Sequence, residues 1–127
     1  MNVAEETAKL SPAKRLQCGA VVVRDNRAIA TGYNGTPMGW YTNECEDENG
    51  VTKPEVVHAE QNAICQLASS TESSKGADIF ITHSPCPTCA ILLFQSGIKR
   101  VFYRKEYRIP TGLDMLRRLN IEVVKCE

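Results

Sequence analysis

Two short segments far apart in the chain carry one set of metal-ligating side chains, and the fold has to bring them together. His58-Ala59-Glu60 and Pro85-Cys86-Pro87-Thr88-Cys89 are separated by 24 residues. They supply one imidazole and two thiols, three ligands of the type zinc accepts in catalytic sites that keep a fourth position for water. Cys86 and Cys89 are three residues apart, a spacing that puts both sulfurs on one side of the first turn of a helix. His58 opens another helical pattern, in which Ala59, Ala63, Ile64, Leu67 and Ala68 share one face. Two helix N-termini must therefore converge on one point, where their positive ends favour thiolates. Zinc held there lowers the pKa of its water to about 7. Glu60, beside the histidine and not a ligand, is placed to move protons.

Other readings of these residues are weaker. A lone Cys-x-x-C suits a redox pair, but that reading leaves His58-Ala59-Glu60 without a purpose. A closed structural zinc needs a fourth ligand, for which His83 is the spare candidate; a loop position or a supporting role behind the ligands suits it better.

Read in order, residues 3–16 contain helix formers, with Ser11-Pro12 as a helix-start signal, so one helix or two short ones open the chain. Gly19 to Val23, a turn at Arg24-Asp25-Asn26, and Arg27 to Thr31 read as a β-hairpin. Gly32 to Pro54 has no periodicity and is rich in Gly, Asn, Pro and Thr, a length of loop that usually frames a site. The helix from His58 breaks at Ser69 to Gly76. Asp78 to Thr82 is a strand, Ser84-Pro85 reads as an N-cap followed by the first helical residue, and Gly97 ends that helix. Ile98 to Arg104 is a strand, Pro110-Thr111 starts a helix through Leu119, and Ile121 to Cys126 is the last strand. The order α-β-β-α-β-α-β-α-β predicts an α/β fold. It is a three-layer α/β/α sandwich on a five-stranded mixed sheet, one domain over residues 1–127.

Fifteen basic and fifteen acidic side chains cancel, which argues against a polynucleotide track while permitting a local pocket for one small anion. No apolar run approaches the roughly 18 residues of a membrane span, and Met1 to Leu10 does not resemble a secretion signal, so a cytoplasmic protein is expected. Of the six cysteines, Cys65 and Cys126 fall within regular patterns and read as buried free thiols.

His58-Ala59-Glu60 with Pro85-Cys86-Pro87-Thr88-Cys89 resembles the cytidine deaminase-like superfamily. Gly32-Tyr33-Asn34-Gly35-Thr36-Pro37 and Gly97-Ile98-Lys99-Arg100-Val101 are similar to its deoxycytidylate (dCMP) deaminase branch. The similarity runs from Cys18 to about Cys126, and the short chain suits a phage member, working in the host cytoplasm. The resemblance implies His58, Cys86 and Cys89 as ligands of a catalytic Zn2+ and Glu60 as proton shuttle. It implies Asn34 on the substrate sugar and the backbones of Ala59 and Ser84 at the cytosine edge. Tyr107 is either a cover over the base or core, and Lys105, Arg108 and Arg104 are either contacts to a 5′-phosphate or a solvated face. It further implies dCMP as substrate, dUMP for thymidylate synthesis as product, and a homo-hexamer. Activation by dCTP with Mg2+ and inhibition by dTTP would act near Gly32, Tyr33, Asn34 and Gly35. Asn34-Gly35 is equally the composition of a tight turn. Cys18 and Cys45 match cysteines of a second, structural zinc in phage relatives, but no histidine lies between Cys45 and His58 to complete it. The alternatives are a bifunctional dCMP/dCTP deaminase, a tRNA adenosine or polynucleotide deaminase, which neutral charge disfavours, and a catalytically silent zinc-stabilised nucleotide sensor, which has no use for Glu60.

Overall fold

A computed structural model describes all 127 residues. Helix α1 covers Asn2–Ala8, strands β1 and β2 cover Gly19–Arg24 and Arg27–Tyr33, and α2 covers Ala59–Ala68. The second half alternates β3 (Asp78–His83), α3 (Pro87–Gln95), β4 (Arg100–Lys105), α4 (Thr111–Arg118) and β5 (Glu122–Lys125). The sheet order is β2-β1-β3-β4-β5, with β1 antiparallel to both β2 and β3, and with β3, β4 and β5 parallel. The expected element order, mixed sheet and three layers are all present.

The hairpin turns at Asp25 and Asn26, whose φ values of 52° and 62° are the paired left-handed conformations of a type I′ turn. Helices α2, α3 and α4 cover one face of the sheet. Their Ala63, Leu67, Leu93 and Leu116 interlock with Val22, Ile79, Ile81 and Val101, all fully or nearly fully buried. At about 25 cal/mol per Å² of apolar surface, this cluster is the main source of stability. Helix α1 lies on the opposite face, where a Cβ on Gly19 would stand 2.1 Å from the Ala4 carbonyl oxygen. Gly32, one strand over and facing the other way, plays the same part for α2: a Cβ there would stand 2.3 Å from the Ala59 carbonyl oxygen and 2.6 Å from the Ala63 nitrogen. Both glycines are required by close helix–sheet approach, not by a turn.

Three local expectations need correction. Ser11-Pro12 starts no helix: the Ser11 hydroxyl donates to the Asn34 carbonyl at 2.7 Å and accepts from the Ala13 N–H at 3.1 Å, holding residues 11–18 as an irregular strap. Helix α3 starts two residues later than Ser84-Pro85 suggests, with Cys86 as N-cap and Pro87 in the first turn. Cys65 is exposed and Cys126 half-buried, so neither is a core thiol.

Candidate active site

Because β1 runs against β3, the strap entering β1 and the segments leaving β2, β3 and β4 gather at one end of the sheet. Helices α2 and α3 also begin there, directly after His58 and Cys86. Gln61 fixes the first of these starts, its side-chain oxygen accepting the His58 N–H at 2.7 Å. Cys86 fixes the second, its sulfur accepting the Cys89 N–H at 3.5 Å. Sulfur therefore does the work of an N-cap oxygen, and of two adjacent X-Pro pairs this selects Cys86-Pro87 as the helix start.

The convergence required by the sequence is met. His58 Nδ1 lies 3.5 Å from the Cys86 sulfur and 3.2 Å from the Cys89 sulfur, and the three ligand atoms all lie within 4.8 Å of one another. A tetrahedral zinc with Zn–S of about 2.3 Å and Zn–N of about 2.0 Å has an N···S edge of about 3.5 Å, so the set fits that ion with only slight adjustment. No other group of three His, Cys, Asp or Glu side chains comes this close together. Cys18 and Cys45 do not form a second centre. The Cys18 sulfur faces His83 Nδ1 at 3.7 Å, while Cys45 is buried with Ala13 and Val56 and points at the Asn43 carbonyl.

The electrostatics suit a cation. Cys86 is brought down to about 4, first because the Cys89 thiol donates to it and then through His58. Cys89 is correspondingly pushed up, and His58 is raised by its hydrogen bond to Cys86 despite partial burial. Binding a metal has to displace the proton Cys89 retains, so loading releases acid. Glu60 is 7% exposed, and burial raises its carboxyl above the usual range against the opposing pull of His58. A carboxyl moved toward neutrality is suited to passing a proton both ways.

A cavity of about 540 Å³ opens at this sheet end, a size that accepts one small ligand. His58, Glu60 and Cys86 line it, and so do Asn34, Ala59, Ser84 and Tyr107. The Ala59 N–H is one of the unpaired donors of the first turn of α2. Ser84 gives its N–H to the Lys105 carbonyl at 2.9 Å, and its hydroxyl oxygen accepts the Tyr107 N–H at 2.6 Å.

The family model of the cytidine and deoxycytidylate deaminase zinc-binding region matches residues 1–105. The chain belongs to this family. Among solved structures it is similar to the dCMP deaminase of cyanophage S-TIM5 in complex with dCMP and dUMP, at 49% identity and a TM-score of 0.97, covering 98% of this chain and 92% of that one. It is 37% identical to the deoxycytidylate deaminase of Mycobacterium phage D29 over 84% of this chain and 91% of the relative. It is 36% identical to ComE operon protein 2 of Bacillus subtilis (strain 168), covering 92% of this chain but spanning only 64% of that longer protein. Family and ligand set together make the chain a zinc-dependent deaminase.

Within this deaminase the other expected residues divide. Asn34 is at the cavity wall but is also a strut: its Oδ1 accepts the Cys18 N–H and its Nδ2 donates to the Leu16 carbonyl, both at 2.8 Å. Gly32, Tyr33 and Gly35 do not line the cavity. Asn34-Gly35 makes no hairpin turn, since Gly35 pairs with Val57 in an antiparallel bridge. Of the basic trio, Arg108 lines the cavity, Lys105 is exposed outside it, and Arg104 turns to Glu5 of α1 at 3.4 Å. Arg15, Glu46 and Glu106 also line the cavity. No local pattern marks Arg15; only the antiparallel course of β1 brings the strap to this end of the sheet. No helix is long and apolar enough to cross a membrane.

Proposed function

We propose that the protein hydrolyses dCMP to dUMP and ammonia. The observation that carries this reading is the cluster of His58, Cys86 and Cys89 beside the buried Glu60 in the wall of a nucleotide-sized cavity. It is supported by the close similarity to a phage dCMP deaminase solved with dCMP and dUMP. Zinc held by the three ligands supplies activation of water at neutral pH. Glu60 takes a proton from the attacking water and delivers it to ring N3 as the C4–O bond forms. It then passes the second proton to the amine as the C4–N bond breaks, releasing ammonia. The Ala59 N–H donates to the base and the Ser84 carbonyl accepts from its amine, fixing C4 over the metal ligands. Asn34 holds the strap and presents its remaining amide valences to the sugar, while Tyr107 covers the open side.

The product would supply dUMP for thymidylate synthesis. Activation by dCTP with Mg2+ and inhibition by dTTP would act through the Gly32 to Gly35 region, where Tyr33 is 39% exposed and free to stack on a base. The subunits would assemble as a hexamer. Initial rates for dCMP, CMP, deoxycytidine and dCTP, each with and without dCTP-magnesium and dTTP, test this reading together with sedimentation of the protein. Turnover selective for dCMP, rising with dCTP and falling with dTTP, is expected. Zinc-loaded protein that turns over none of the four would refute the reading.

A further inference from the structure

We propose that Glu46 is a positioning residue for nucleotide binding: its carboxylate latches the strap of residues 11–18 to the loop between β2 and α2, and so sets the spacing of two walls of the cavity. This rests on the nucleotide reading given above and deepens it. The strap supplies Ala13, Arg15 and Leu16 to the cavity, and the loop supplies Thr52 and Val56. The Glu46 carboxylate accepts the backbone N–H of Lys14 at 3.1 Å and that of Arg15 at 3.0 Å. Neither N–H has another partner, and no other hydrogen bond or ion pair joins the strap to residues 36–57. Two successive backbone N–H groups aimed at one anion make a charge-assisted contact, stronger than one between neutral groups.

Glu46 can hold the strap because its own segment is fixed. The Lys53 N–H donates to the Cys45 carbonyl and the Asp47 N–H to the Val51 carbonyl, both at 2.8 Å, so residues 45–53 form a short finger with Glu46 opposite Thr52. The chain then reaches Val57, which pairs with Gly35 in both directions at 2.8 and 3.1 Å, directly before the metal ligand His58. On the strap, Asn34 holds the two ends, through the Ser11 hydroxyl, the Leu16 carbonyl and the Cys18 N–H. Lys14 and Arg15, midway between them, are left to Glu46. Next to the latch, Ala13 packs with Cys45 and Val56 in a cluster separate from the main core. Three side chains of this size bury little apolar area, so the carboxylate contacts set how far the strap stands from the loop.

Removing the Glu46 charge and removing the latch have opposite effects on an anionic ligand, and the test uses this. Calorimetry measures dUMP and uncharged deoxyuridine binding to zinc-loaded wild type, Glu46→Ala, Glu46→Gln and Glu44→Gln. Glu44 is exposed on the same acidic run and makes no bond to the strap, so its variant reports the charge alone. Glu46→Ala should weaken both ligands about 5- to 30-fold, and Glu46→Gln, which keeps one acceptor oxygen, should weaken them less. The Michaelis constant for dCMP should rise with kcat within about threefold of wild type. Amide exchange should show Lys14 and Arg15 losing protection while α2 and α3 keep theirs. Exposed strap amides with unchanged affinities would make the contact structural only and overturn the proposal. Tighter dUMP binding with unchanged deoxyuridine, as in Glu44→Gln, would reduce Glu46 to a surface charge and overturn it too, as would protection lost equally in α2 and α3. Wild type that binds neither ligand and leaves dCMP intact would sink the nucleotide reading itself. A dCMP-active wild type whose Glu46 variants bind normally would sink only the latch.

Discussion

Replacing Glu60 by Gln isolates proton transfer from every other feature of the site. The side chain is 7% exposed, so Gln fills the same space without opening a void. The metal ligands His58, Cys86 and Cys89 are untouched. Burial is the largest influence on the carboxyl and opposes its charged form, so removing the charge relieves desolvation and should not lower stability. Gln cannot accept a proton from water at neutral pH. Positioned acid–base catalysis contributes about 10²- to 10⁴-fold, equivalent to about 2.7 to 5.5 kcal/mol of barrier. The variant should therefore bind one zinc, unfold at or above the wild-type temperature, and lose kcat for dCMP by about that factor with little change in KM. Bound metal measured by elemental analysis, a thermal melt and initial rates suffice as assays. A kcat within about threefold of wild type would remove Glu60 from the proton path. Lost zinc would show that its role is to support the ligands.

Further outcomes follow from the same geometry. Chelation should abolish turnover and lower the melting temperature, and zinc should restore both, because a ligand present at about 1,000 times its Kd stabilises by about 4 kcal/mol; Cys86→Ala should show neither recovery. Gly32→Ala places a methyl group against α2 backbone atoms 2.3 and 2.6 Å away, which should cost about 1 to 3 kcal/mol in urea titrations. A neutral result there would contradict the packing role of this glycine. His83 is lowered by burial and by Lys105, against the opposing pull of Glu5, so its contribution to stability is complete above its unfolded value near 6.5 and is lost as pH falls through the lower folded value. His83→Gln should therefore lose less stability than wild type between pH about 7.5 and about 5.5, compared in the same metal state; parallel losses would refute this.

Much of this was legible because chemistry and periodicity agreed. The three zinc ligands and Glu60 stand in two short segments whose residue types admit few other uses, and the helical faces at Ala59, Ala63 and Leu67 placed one of those segments at a helix start. The strands could be read from apolar runs bounded by Asn, Asp and Gly, as at Asp25-Asn26. What escaped depended on side-chain bonds between distant segments. Ser11-Pro12 looks like a helix start until the Ser11 hydroxyl is committed to Asn34, 23 residues away. Ser84-Pro85 and Cys86-Pro87 carry the same local signal, and only the sulfur contact to the Cys89 N–H separates them. Cys65 sits in an apolar helix yet faces outward. Arg15 has no motif at all, and its place at the cavity follows from strand direction alone. The Gly-Tyr-Asn-Gly segment read as a turn or a regulatory element, and two of its glycines now have packing and bridging roles.

The most direct test of hydrolytic deamination is to incubate zinc-loaded protein with dCMP in oxygen-18-labelled water and follow the products by mass spectrometry and ammonia release. Equimolar dUMP and ammonia are expected, with one labelled oxygen at C4, and with formation stopped by chelation and restored by zinc. Absence of dUMP, or dUMP without the label, would contradict the account.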